Sequence, residues 1–155
     1  MKQIRYYREV LDAMKESLPK TSRSYSLLYK SVEQARLNLG NTLKYVNKEP
    51  SVYRKASLNR LNGDSDYIPP EQDKGDRFII PEFDTEVEYI DYIRETLLAM
   101  IEEVEQLYYT FKKLIKDNMN MLFDLYIKSA LQDLTLARNY GGFVLRDIAN
   151  KNEIT

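Results

Sequence analysis

Nine cations of the first 60 residues, Arg5, Arg8, Arg23, Lys30, Arg36, Lys44, Arg54, Lys55 and Arg60, are interleaved with six tyrosines, Tyr6, Tyr7, Tyr25, Tyr29, Tyr45 and Tyr53. Guanidinium and ammonium groups pair with phosphate oxygens, and phenol rings stack on bases. Hydroxyls at Ser24, Ser26 and Ser31 could add hydrogen bonds. The densest part is the stretch 22–40, SRSYSLLYKSVEQARLNLG. Its chemistry would be recognition of a small anionic or nucleotide-type ligand. The competing structural reading is that tyrosines pad helix contacts and lysines keep a surface hydrated.

Other chemistries lack their residues. The chain has no cysteine and no histidine. Thiol nucleophiles, thiolate metal sites, Ser-His pairs and imidazole ligands are therefore ruled out. A ferritin-like di-metal site needs Glu-x-x-His pairs facing inward. Here Glu95 and Glu102 fall opposite an apolar stripe and should face water. GNTLK at 40–44 lacks the spacing and preceding strand of a phosphate-binding loop. Only carboxylates, lysine and tyrosine remain for catalysis, and no spacing arranges them for it. A non-enzymatic protein without cofactor or metal is expected.

Four helices would have to position the basic and phenolic groups. Ile4, Leu11, Met14 and Leu18 mark one over residues 2–18, which Pro19 stops. Leu28, Val32, Ala35, Leu39, Leu43 and Val46 mark a second over 24–48, capped by Ser22, Ser24 or Ser26. A short helical turn near 52–61 is possible. Residues 62–84 carry Gly63, Pro69, Pro70, Gly75 and Pro81 and read as a long acidic crossover, with RFII as an extended piece.

A third helix over 85–116, capped by Asp84 or Thr85, carries three apolar positions per heptad, the pattern of a bundle rather than a two-stranded coil. Residues 117–120 read as a turn, and a fourth helix follows to about residue 150. Gly141-Gly142 inside it invites close approach, of a helix before a ligand. QARLNLG at 34–40 and LARNYGG at 136–142 suggest a faint internal repeat.

The expected fold is all-α: four main helices as two antiparallel hairpins joined by a long acidic Pro/Gly loop. It forms a single domain, 1–155, with a basic hairpin (1–61), the loop (62–84) and an acidic hairpin (85–150). The formal net charge of −1 conceals an asymmetry. Residues 1–60 hold 13 Lys/Arg and five Asp/Glu, whereas 61–155 hold ten and 19. The acidic half should oppose duplex nucleic acid. With no long apolar run and a charged start, a soluble cytoplasmic protein without membrane contact is expected.

The stretch Ser22–Gly40 resembles the helical hairpin of phage anti-CBASS and Thoeris anti-defence sponge proteins. Ser22-Arg23, Ser26, Leu28, Glu33-Gln34-Ala35-Arg36 and Gly40 carry the likeness, followed by Ile68-Pro69-Pro70 and Asp73-Lys74. Two positions depart from it: Lys30-Ser31 reverses the usual order, and Leu37-Asn38 stands where an aromatic is frequent. The resemblance implies sequestration of a cyclic nucleotide or cyclic ADP-ribose-type signal, in the host cytoplasm if phage-encoded, and homo-oligomers. The expected ligand contacts are Arg23, Lys30 and Arg36 on phosphates, Tyr25 or Tyr29 on a base, and Ser26. The alternative is a helical-bundle protein–protein interaction or oligomerisation module without a small ligand.

Overall fold

A computed structural model describes residues 2–46, 78–114 and 121–154. They form four helices: α1 (Lys2–Ser17), α2 (Arg23–Val46), α3 (Glu86–Leu114) and α4 (Met121–Ile154). The turn expected near 52–61, the one at 117–120 and most of the acidic crossover lie outside the described residues. The fourth helix runs four residues beyond the expected end.

Local chemistry sets the helix starts. The Tyr25 amide donates to Ser22 Oγ at 3.2 Å, which makes Ser22 the cap of α2. The Glu88 amide donates to Thr85 Oγ1 at 3.1 Å, so Thr85 caps α3. Glu86 and Glu88 complement the positive end of that helix.

The apolar stripes meet in one core. Leu11, Met14, Leu28, Leu39, Ile90, Leu97, Ile127 and Leu134 are all essentially inaccessible. The most extensive contact is between α2 and α4, followed by α3 with α4 and α1 with α2; α1 and α3 approach more loosely. Thus α2 and α3 stand diagonally across the bundle. Long-range pairs give the directions. Ser24 Oγ donates to Asp147 and Tyr45 stacks on Tyr126, so α4 runs antiparallel to α2. Ser17 meets Tyr89, and Tyr7 donates to the Glu103 carboxylate, so α3 runs antiparallel to α1.

One long crossover therefore returns the chain from the end of α2 to the opposite end of the bundle. Its last part, 78–85, has neither helix nor strand. Phe78 packs edge-on against Tyr6, and Phe83 packs against Tyr92 with ring centroids 5.1 Å apart.

The second hairpin repeats the first. Residues 3–18 and 89–104 are identical at eight of 16 positions, among them Ile4/Ile90, Arg8/Arg94, Leu11/Leu97 and Met14/Met100. In the second helices, Tyr25, Leu28, Val32, Ala35, Leu39 and Thr42 correspond to Ile127, Ala130, Leu134, Ala137, Gly141 and Val144. Every member of both sets is buried. Each hairpin also lays an arginine of its first helix over glycine of its second. The Arg8 guanidinium lies against Gly40, and the Arg94 stem lies against Gly141. At Gly141 the glycine is thus used for close helix contact, the first of the two expectations for Gly141-Gly142, whereas Gly142 has ordinary spacing.

Candidate functional site

The six residues expected to hold a ligand fall into three groups. Arg23, Ser26 and Lys30 are exposed, and their spacing places them on the outer face of α2. Tyr25 is engaged inside the bundle, and Arg36 is held in a partly exposed ion pair. The Tyr25 ring is buried, and its hydroxyl donates to Glu86 Oε1 at 2.5 Å. Burial, then the bond to Glu86 and the charge of that carboxylate, push this phenol well above its ordinary value of 10.0. Arg36 Nε pairs with Asp12 across the first hairpin.

Tyr29 is the member that lines an open hollow. This space of about 280 Å³ sits where α1 turns into α2, walled by Asp12, Lys15, Glu16, Leu18, Lys20 and Tyr29. Lys15 Nζ stands 5.4 Å and Lys20 Nζ 5.8 Å from the centre of the Tyr29 ring, both within cation–π range. Lys15 also approaches Glu33 Oε1 at 4.0 Å, at the limit of an ion pair. Leu18 is buried and supplies an apolar floor.

Such a lining offers two ammonium donors, two carboxylate acceptors and one ring. It could take a guest that carries both an anionic group and hydroxyl or amine donors.

Asp12, Lys15, Glu16 and Lys20, from α1 and the turn, lie outside the basic and phenolic cluster that the sequence marks at the start of α2. The signal that points to them is the repeat. Where the first hairpin has Asp12, Lys15 and Tyr29, the second has Leu98, Ile101 and Leu131. Ile101 and Leu131 are partly buried against the core. The hairpin can therefore pack with apolar residues at these places, and its first copy carries charge and a phenol instead.

No family model, curated protein or solved structure matches this chain. Among the described residues, no helix is long and apolar enough to cross a membrane.

Proposed function

We propose that the protein binds and sequesters a small phosphorylated ligand of the cyclic-nucleotide or cyclic ADP-ribose type, without catalysis, in the hollow at the α1–α2 turn. Lys15 and Lys20 meet the phosphate and Asp12 and Glu16 meet ribose hydroxyls or exocyclic amines. Arg23, at the start of α2, adds positive potential to this end of the bundle. One observation carries the reading: three positions that are apolar in the second hairpin are polar in the first, and all three line the hollow. The resemblance of residues 22–40 to phage sponge hairpins supports the same ligand class.

Titration calorimetry against a panel of cyclic di- and trinucleotides and cyclic ADP-ribose isomers tests it. At about 100 μM protein, affinities stronger than roughly −5 kcal/mol are measurable. Heat with one member, lost in Lys15→Ala and Lys20→Ala, is expected. Absence of heat with every member overturns the reading.

The opposed charges of α2 and α3 favour a second reading, an oligomerisation module without a small ligand.

A further inference from the structure

The outer faces of α2 and α3 carry complementary stripes. On α2, Arg23, Lys30, Leu37 and Lys44 recur every seven residues, and all four are exposed. On α3, Asp91, Glu95, Leu98, Glu102 and Glu105 recur at alternating steps of four and three, and all five are exposed. Each stripe has one exposed leucine near its middle, Leu37 at 46% and Leu98 at 36% accessibility. None of the seven charged groups forms an ion pair among the described residues.

A seven-residue repeat drifts slowly around a straight helix. Two such stripes therefore match when the helices cross at a shallow angle of about 20°. At a rise of about 1.5 Å per residue, the basic stripe is about 30 Å long and the acidic one about 20 Å, which leaves room for full overlap.

The two helices stand diagonally across the bundle. Within one molecule the stripes point away from each other and cannot neutralise one another. We propose that the basic face of α2 in one copy of this chain docks on the acidic face of α3 in the next. Leu37 and Leu98 meet at the centre, and opposite charges flank them.

Because the two faces differ, the contact is heterologous. A docked pair still presents one free basic face and one free acidic face, each on a different copy, so association proceeds to a ring or an open chain rather than stopping at a dimer. Exposed ion pairs contribute little individually and are screened by salt. The association is therefore weak and salt-labile. The inference deepens the oligomerisation reading and is independent of the ligand in the hollow.

Light scattering on the full chain, with no ligand present, tests it through two charge-reversed variants. One carries Lys30→Glu with Lys44→Glu, the other Glu95→Lys with Glu102→Lys. All four positions are exposed, and circular dichroism checks that each variant is folded. At about 20 mM salt, where screening is weak, the wild type should exceed the monomer mass of 18.3 kDa. It should return to the monomer at about 500 mM. Each variant alone should stay monomeric at low salt. Their mixture should associate, because each offers the other a complementary face.

A wild type that is monomeric at low salt overturns the proposal. So does association that survives high salt and both reversals, which would locate the contact on another face. A monomer that still gives heat with the nucleotide panel removes this inference and leaves the ligand reading standing.

Discussion

Arg94 crosses Gly141 so closely that a Cβ added there would lie 2.8 Å from the Arg94 Cγ. Its Nε also donates to the Arg138 carbonyl at 3.3 Å, which ties the side chain to α4. The neighbouring glycine is different. A Cβ at Gly142 would find its nearest side-chain atom at 3.8 Å, an ordinary contact. Replacing a helical glycine by alanine is worth about 1 kcal/mol of propensity. Gly142→Ala should therefore stabilise the protein and raise Tm by about 2–4 °C. Gly141→Ala gains the same propensity but must displace the base of the Arg94 side chain, so its Tm should fall below that of the wild type. Thermal melts of the two variants check this. A rise for both would mean that Arg94 yields freely.

Asp133 lies between α2 and α4 and accepts a hydrogen bond of 2.6 Å from Asn38 Nδ2. Burial raises its pKa above 3.8, and the bond from Asn38 offsets part of that rise. Between 3.8 and its folded value, the native state holds a proton that the unfolded state has released. Stability attributable to this group is thus complete below pH 3.8 and falls as pH rises through the folded value. Asp133→Asn keeps an acceptor for Asn38 and removes the charge. The variant should gain stability relative to wild type at pH 7, and the gain should vanish below pH 3.8. Urea melts at the two pH values measure the difference.

Three phenols should make the bundle sensitive to base. Burial is the largest cause of the raised pKa of Tyr7, Tyr25 and Tyr89, and the carboxylates of Glu103 and Glu86 add to it at the first two. Each stays protonated in the folded state at pH values where the unfolded chain ionises it. Their contribution is intact below pH 10 and is lost as pH climbs from 10 towards the folded values. Denaturant midpoints should drop steeply above pH 10. Tyr25→Phe removes one of the three ionisations and should make that drop shallower, at the cost of the bond to Glu86. An unchanged pH slope would contradict the assignment.

The architecture was legible because it is written in periodicity. Stripes with a helical period mark four helices and Pro19 marks the first stop, whereas Asp84 and Thr85 are both cap types until backbone geometry selects Thr85. The exact cap of α2 was not legible, because Ser22, Ser24 and Ser26 are chemically equal until backbone geometry selects Ser22. The site was less readable. Tyr25 and Tyr29 look alike in sequence, yet one is buried in the core with its hydroxyl on Glu86 and the other stands on an open wall. Arg36 reads as a free cation until α1 brings Asp12 beside it. Lys15 follows Met14 at the edge of a core stripe and looks like surface. Its role as a wall residue depends on where α1 turns into α2, and on the comparison with Ile101 in the repeated hairpin.

That comparison supplies the most direct measurement. The double variant Lys15→Ile, Tyr29→Leu gives the first hairpin the residues that its repeat already uses. If the polar wall exists for a ligand, the variant should melt no lower than wild type while calorimetric heat with the cyclic nucleotide or cyclic ADP-ribose ligand disappears. A variant that binds as tightly as wild type would show that the guest does not use the hollow. One that unfolds would show that the lysine and the phenol hold the hairpin together.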